Sequence, residues 1–167
     1  MIITKLYNIF GDDYAAHKKV MEYFPGSKPV FQRNGGCAII ISQDKPVKEA
    51  EWREWTPAIQ DGDEHLFSLR FNPTKREGAS GKRVGINGPE VMEWLNRKFT
   101  DAGCKYMCGK LTDEGTARSM KKGGEISVRS IFIIGALKII DAEKFSRALI
   151  NGIGSAKRFG YGMFNIV

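Results

Sequence analysis

The sequence contains two histidines, and one of them, His17, has a tyrosine three residues before it. On a helix this spacing places Tyr14 and His17 on the same face. A neutral imidazole can accept or donate a proton near pH 7, and a phenol one turn away can stabilise developing charge. The pair predicts acid–base chemistry, although an exposed helical histidine beside a tyrosine is more often an ordinary surface residue. His65, in the acidic segment DGDEHLF, is predicted to be an edge residue of a strand.

The strongest local pattern is the segment GIGSAKRFGYG, which runs from Gly152 to Gly162. Its four glycines surround the basic pair Lys157 and Arg158. Because glycine has no side chain, the backbone can approach a phosphate closely, and the N–H groups with two cations can hold it. A predicted helix precedes this segment and a strand follows it, which is the reverse of a dinucleotide-binding fingerprint. The pattern favours phosphate contact over a glycine-rich turn with incidental charge.

The cysteine and carboxylate pairs do not predict a metal site. Cys104 and Cys108 are four residues apart, but no second cysteine or histidine pair follows them, as a zinc site would need. The acidic pairs at 12–13 and 113–114 are typical of caps and turns. The sequence therefore predicts neither a metal nor any other cofactor.

The elements that would position these residues occur in the same order twice. In the first half, alternation and turn residues predict a strand over 1–10, a helix over 14–24, a hairpin of strands 29–33 and 37–43, a helix over 47–55 and a strand over 64–72. In the second half they predict a strand over 82–86, a helix over 89–101, strands over 104–111 and 126–140, a helix over 141–151 and a strand over 159–167. The polar segment 112–125 is expected to be an exposed hairpin or loop.

Two β-α-β-β-α-β units predict an α+β fold of tandem ferredoxin-like domains. Residues 73–81 are the natural linker, so the predicted domains are residues 1–77 and 78–167. A single α+β domain with one mixed sheet is the alternative. The ferredoxin-like sheet is also the scaffold of the RNA-recognition module, but the aromatic signature of that module is absent from both halves.

The charge is concentrated in one half of the chain. The 167 residues carry a formal net charge of +7, with 11 basic and 11 acidic residues in 1–77 and 15 basic and 8 acidic residues in 78–167. Such asymmetry indicates a polyanion-binding second half, and nucleic acid is the commonest such partner. No apolar run approaches the length of a membrane span, and three cysteines are an odd number for a disulfide framework. We expect a cytoplasmic protein that does not bind membranes.

These motifs carry a resemblance to a known family. The C-terminal segment resembles the glycine-rich motif of the repeat-associated (RAMP) proteins of CRISPR systems. More narrowly, the chain is similar to the endoribonucleases that process precursor CRISPR RNA in type I-E Cascade systems. The segments that match are YAAHKKVMEYFP (14–25), GCAIIISQDKPV (36–47), FSLRFNPTK (67–75), VMEWLNRKF (91–99) and GALKIIDAEKFSRALINGIGSAKRFGYGMFNIV (135–167).

The resemblance implies tandem ferredoxin-like domains, a catalytic His17 and Tyr14 as its partner. It also implies that the glycine-rich segment contacts RNA near the cleavage site. Within that segment we expect Lys157 to be the electrostatic stabiliser and Arg158 a backbone clamp. The further residues expected to contact RNA are Gly152, Gly154, Ser155, Gly160, Lys82, Arg83, Lys121 and Lys122.

The expected function is metal-independent cleavage of the repeat stem-loop of precursor CRISPR RNA, which leaves a 2′,3′-cyclic phosphate. The expected partners are that RNA hairpin and other Cascade subunits. Two alternatives remain open at this point. One is a catalytically silent RNA-binding subunit of a CRISPR ribonucleoprotein, and the other is an RNA-cleaving toxin of the same fold.

Overall fold

A computed structural model describes residues 1–78, 81–121 and 123–166. Within them the fold is α+β, with two four-stranded antiparallel sheets and a separate two-stranded hairpin. The helices are α1 (Asp13–Tyr23), α2 (Glu90–Asp101) and α3 (Ala142–Asn151). The strands are β1 (Ile2–Tyr7), β2 (Val30–Asn34), β3 (Cys37–Ser42), β4 (Glu51–Glu54), β5 (Glu64–Phe71), β6 (Thr74–Glu77), β7 (Lys82–Gly85), β8 (Cys104–Lys121), β9 (Gly124–Ile139) and β10 (Phe164–Ile166). No helix in the described ranges is long and apolar enough to cross a membrane.

The first sheet has the strand order β2-β3-β1-β4, and α1 covers one of its faces. This is the ferredoxin-like order, which confirms the predicted fold class, but the second helix is missing. The predicted helix over 47–55 is wrong, because Glu51–Glu54 form β4 and pair with β1. Without β4, one edge of β1 would keep its backbone N–H and C=O groups unpaired. A helix of nine residues is marginal in isolation, so pairing along that edge prevails over local propensity.

The second sheet has the order β10-β5-β9-β8, and α2 and α3 cover one of its faces. Its core is rich in phenylalanine. The rings of Phe67, Phe99, Phe145 and Phe164 lie 5.3–6.3 Å apart between centroids, mostly edge to face. Such aromatic pairs add about 0.5–1.5 kcal/mol each beyond the area they bury. The predicted helices over 89–101 and 141–151 are confirmed as α2 and α3.

The boundary between the sheets differs from the predicted one. β5 pairs with β9 and β10, so the strand over 64–72 belongs to the second sheet and the chain changes sheets between β4 and β5. A division after residue 77 would cut β5 from its partners. The prediction of a linker over 73–81 is wrong for the described part, because β6 and β7 form a hairpin with each other. The strand predicted over 82–86 is β7, outside the second sheet.

Strands β8 and β9 extend well beyond the second sheet. Past Ile131, where the pairing of β9 with β5 ends, the two strands continue as a two-stranded arm, residues 114–121 and 124–130. The predicted exposed hairpin over 112–125 is therefore confirmed for the described residues, while Lys122 lies outside them. Register irregularities at Tyr106/Cys108 and Asp113/Gly115 mark where the strands bend, because a bulge increases local twist.

Candidate active site

Helix α1 carries its candidate catalytic residues next to the row of side chains that it buries. Asp12 caps the helix by accepting a hydrogen bond from the Ala15 N–H (2.8 Å), and this bond is the main reason that the pKa of Asp12 is lowered. Ala16 and Val20 are fully buried against the first sheet. His17 follows this row on its exposed flank and is half-buried. The helix thus holds the imidazole at the margin of the core, where it is accessible.

The segment after α3 forms a compact loop, which we call the C-terminal loop (residues 152–162). Two backbone hydrogen bonds hold it: Ile153 N–H donates to Gly162 O (2.8 Å), and Gly162 N–H donates to Arg70 O on β5 (2.6 Å). Lys157–Phe159 form a 3-10 turn inside the loop, and this turn lies against α1 and β2. The predicted strand over 159–167 is consequently shortened to β10.

The glycines of this loop are required by packing. A Cβ on Gly154 would lie 2.9 Å from the ring of Trp94, and a Cβ on Gly160 would lie 3.0 Å from the ring of Phe31. Both distances are too short for a carbon–carbon contact without movement. Contact of Gly152, Gly154 and Gly160 with a phosphate stays a prediction, and the packing supplies an independent reason for glycine at these positions.

His17 lies between two aromatic rings and a guanidinium. Its ring centroid is 5.8 Å from that of Phe159, edge to face, and 6.4 Å from that of Tyr14. Burial is the main cause that lowers the pKa of His17, and the charge of Arg158 lowers it further, while the Arg158 backbone partly opposes this. The imidazole is therefore predominantly neutral at pH 7 and able to accept a proton.

Lys157 and Arg158 supply positive charge beside this imidazole. Neither forms an ion pair within the described residues, whereas Arg33, Arg70 and Arg129 each face a carboxylate. Burial lowers the pKa of Lys157, and the nearby Lys98 adds a smaller effect in the same direction. The site thus carries two positive charges that no carboxylate within the described residues neutralises.

These groups open into a cleft of about 1060 Å³. One wall comes from α1 and the segment that follows it, and another from β7 and the arm, whose strand β8 also contacts α1. The C-terminal loop completes the lining. The lining includes His17, Lys28, Phe31, Asn72, Arg83, Thr116, Ser127, Arg129, Gly154, Ser155, Lys157, Arg158 and Phe159.

Half of the twelve predicted site residues line this cleft, and Tyr14 is not among its lining residues. Arg83 lines it from β7, whereas Lys82 is paired in register with Glu77 across the β6–β7 hairpin. Ser155 has its hydroxyl hydrogen-bonded to Asn72 and Thr74 at 3.0–3.1 Å, which ties the C-terminal loop to the end of β5. Lys121 ends β8 in the arm, and Lys122 lies outside the described residues.

His65 takes no part in the cleft. It lies on β5 opposite Leu137, on the strand face that buries Phe67 and Leu69 against the helices. Among the described residues, no group of three or more His, Cys, Asp or Glu side chains is placed to hold a metal ion.

Two residues escaped sequence reasoning although they join the site together. The Tyr161 hydroxyl donates a hydrogen bond of 3.0 Å to Asp13 at the start of α1. The sequence predicts a cap or turn for the acidic pair that contains Asp13, and it assigns no role to Tyr161. A tyrosine inside a glycine-rich loop was the available signal, since a buried phenol needs a hydrogen-bond partner.

The comparisons with known proteins agree with this fold. A family model described as CRISPR associated protein matches residues 7–167, and the chain belongs to that family. The CRISPR-associated endoribonuclease Cse3 of Thermus thermophilus is 32% identical over 123 residues, which cover 66% of this chain and 58% of the relative. The matched region thus spans less than two thirds of that relative's length.

Solved structures share the whole architecture. CRISPR endoribonuclease Cse3 bound to a 19-nt RNA matches with a TM-score of 0.84 at 21% identity, covering all of both chains. The CRISPR-associated protein Cas6e of Escherichia coli str. K-12 matches with a TM-score of 0.81 at 24% identity, covering 100% of this chain and 99% of that one. A chain of a CRISPR RNA-guided surveillance complex matches with a TM-score of 0.75 at 19% identity, with the same coverage. At these identities the likeness establishes the fold.

The environment of His17 predicts an abnormal titration. We expect its C2–H resonance in NMR to titrate below pH 6.5, because burial and Arg158 both disfavour the imidazolium. Arg158→Ala removes one of these two causes, so the pKa of His17 should rise towards its ordinary value. A pKa that Arg158→Ala leaves unchanged or lowers would contradict this account of the site.

The C-terminal loop predicts a sharp difference between two glycine substitutions. Gly26 and Gly162 both have positive φ, at +79° and +82°. Gly26→Ala should lower the free energy of unfolding by only about 1–2 kcal/mol, the cost of a left-handed backbone, since nothing lies within 4 Å of its Cβ. Gly162→Ala should lose clearly more free energy of unfolding in urea, because its Cβ would overlap the carbonyl oxygen of Ile153. Equal losses would show that the loop can relax.

Proposed function

We propose that this chain is a metal-independent endoribonuclease that cuts the repeat stem-loop of precursor CRISPR RNA once. The observation that carries the proposal is the cleft that His17 shares with Lys157 and Arg158, two cations that form no ion pair within the described residues. The relative Cse3 is named an endoribonuclease, and structures of that name hold RNA, one of them as a pre-cleavage complex. Family membership and the chemistry of the cleft support the same activity.

The proposed reaction is attack of a ribose 2′-oxygen on the adjacent phosphorus. The 2′-O–P bond forms and the P–O5′ bond breaks, which leaves a 2′,3′-cyclic phosphate and a 5′-hydroxyl. A neutral His17 can accept the 2′-OH proton, and the Tyr14 phenol one turn away can assist at the leaving oxygen. Lys157 stabilises the extra negative charge on the phosphorane, and Arg158 holds a neighbouring phosphate. These groups meet the needs of the reaction without a metal ion.

The proposed partners follow from the same reasoning. A basic second half suits an RNA hairpin, whose phosphates supply most of the attraction. Arg83 on β7 and the arm residues Thr116, Ser127 and Arg129 line the cleft, which supports a contact with that hairpin beside the cleavage site. The likeness to a chain of a surveillance complex supports a place beside other Cascade subunits in the cytoplasm.

Removing the imidazole should abolish the proton transfer and spare binding. We expect His17→Ala to lower the single-turnover rate on a synthetic repeat hairpin by about 10²–10⁴-fold, the usual contribution of a general acid or base. Affinity for the hairpin should change little, because phosphate contacts provide it. Tyr14→Phe should cost less, since it deletes only a hydroxyl.

His65→Ala is the matched control, because His65 lies away from the cleft and should leave the rate near that of the unsubstituted protein. If His65→Ala stops cleavage and His17→Ala does not, the proposed active site is wrong. If His17→Ala loses affinity and rate together, His17 is a contact or structural residue. Tight hairpin binding with no cleavage by the unsubstituted protein would favour the silent RNA-binding subunit.

Cleavage should proceed in EDTA at the same rate as in buffer, as read by gel analysis of the hairpin and its products. The nucleophile belongs to the RNA, so a hairpin with a single 2′-deoxy substitution at the cleaved position should bind and remain uncut. Loss of cleavage in EDTA with recovery on added magnesium would overturn the proposed mechanism. Equal cleavage of unrelated hairpins would favour the toxin of the same fold.

A further inference from the structure

The hydroxyl of Tyr161 is a buried group that the proposed reaction does not use. Its residue is only 2% exposed, and the hydroxyl donates to the Asp13 carboxylate at 3.0 Å. Burial is the main cause that raises the pKa of Tyr161, with the charge of Asp13 adding to it, so the phenol remains protonated. This hydrogen bond joins residues that are 148 positions apart in the sequence.

The acceptor of this hydrogen bond, Asp13, lies at the start of α1. Asp13 is the first residue of the helix, next to Tyr14 and one turn before His17. Arg33 of β2 approaches the same carboxylate at 3.8 Å and donates hydrogen bonds of 3.0 Å to the carbonyls of Gly11 and Asp12. The N-terminus of α1 is therefore fixed both to its own sheet and to the C-terminal loop.

The donor, Tyr161, lies near the residues where the arm begins. The N–H of the next residue, Gly162, donates to the carbonyl of Arg70 (2.6 Å). The Arg70 side chain forms a two-point pair with Glu114 at 2.8 and 3.0 Å, and the Ser130 hydroxyl donates to the same carboxylate at 2.5 Å. Glu114 lies at the register irregularity from which the arm departs. One polar network thus connects both walls of the cleft, with two carboxylates and two guanidiniums that balance in charge.

We propose that Tyr161 is a positioning residue, which acts through Asp13 to hold α1 so that His17 faces the scissile phosphate between the two walls of the cleft. This inference rests on the proposed function. This role needs no contact of the hydroxyl with RNA or with the reacting atoms, because Tyr161 is buried within the C-terminal loop. Its effect is transmitted by a rigid path of one helical turn from Asp13 to His17.

The geometry explains why one hydrogen bond should matter. α1 packs on its own sheet through the small or branched side chains of Ala16 and Val20, and Arg33 holds its N-terminus to β2. The Tyr161 bond ties that same end of the helix to the C-terminal loop. A displacement of about 1 Å at a catalytic group can cost on the order of 100-fold in rate.

The test is Tyr161→Phe, which keeps the ring packing and removes only the hydroxyl. We expect a single-turnover rate on the repeat hairpin about 10- to 100-fold lower at saturating protein, with affinity for the hairpin unchanged. The NMR chemical shift of the His17 C2–H should move in the protein without RNA. Tyr7→Phe is the matched control, since the Tyr7 hydroxyl bonds to Glu51 on the exposed edge of the first sheet.

Variants of Asp13 separate positioning from general stability. Asp13→Asn retains an oxygen that can accept from Tyr161, so its rate should stay near that of the unsubstituted protein. Asp13→Ala should match Tyr161→Phe, and the double variant Tyr161→Phe/Asp13→Ala should be no slower than either single one. All rates are compared well below the melting temperature of each variant.

The outcomes distinguish this inference from the proposed function. If the unsubstituted protein does not cleave, the proposed function fails, and the His17 shift in Tyr161→Phe still decides whether Tyr161 positions the helix. If Tyr161→Phe changes neither rate nor shift, the positioning role is wrong. If it weakens hairpin binding, or if Asp13→Asn is as slow as Asp13→Ala, Tyr161 does not act through this hydrogen bond.

Discussion

The close packing of the C-terminal loop between the two sheets is the constraint on which the site depends. The loop contacts Trp94 of α2 with Gly154 and Phe31 of β2 with Gly160, so each half of the molecule supplies one aromatic ring. A side chain at either glycine would push the loop away from one half. Because the loop also carries Lys157 and Arg158, the position of the cations relative to His17 is set by these two contacts.

The charged side chains inside the molecule differ from Lys157 and Arg158 at the cleft in whether they are paired. Inside the molecule, Asp13, Glu114, Arg70 and Arg33 pair with one another or with hydroxyls and carbonyls, since partly buried charges are costly unless they are paired. At the cleft, Lys157 and Arg158 have no carboxylate within the described residues, and Arg158 disfavours protonation of His17. The internal network therefore makes the fold rigid, while the unpaired cations give the cleft its attraction for anions.

The local features of this fold could be predicted from the sequence, and the long-range ones could not. The helix with Tyr14 and His17, and the glycine-rich loop with its two cations, are each readable from contiguous residues. β4 depends on an open edge of β1 about fifty positions earlier, which no local pattern around Glu51–Glu54 reveals. β5 was placed in the wrong half for the same reason, because alternation predicts a strand and does not name its neighbours.

The same distinction between local and long-range features applies to the site residues. Tyr161 and Asp13 are meaningful only as a pair, and each alone has an ordinary explanation. The glycines were interpreted through phosphate binding, whereas the structure adds aromatic rings from two different elements as a reason for their size. Phe159 has no role in the predictions from sequence, yet it contacts the imidazole directly. The sequence therefore reveals the motif with the candidate catalytic residues, and only the folded structure reveals the residues that support them.

The electrostatics of His17 also give the proposed reaction an order. Without RNA, burial and Arg158 favour the neutral imidazole, which is the form that can accept a proton. A phosphate bound at Arg158 would offset that cation and lower the free energy of an imidazolium beside it. In the proposed reaction, proton transfer from the 2′-hydroxyl to His17 then becomes easier when a phosphate occupies the cleft, while burial, the larger cause of the lowered pKa of His17, still favours the neutral imidazole. Arg158, the proposed phosphate contact, thus links phosphate binding to the basicity of His17 through one side chain.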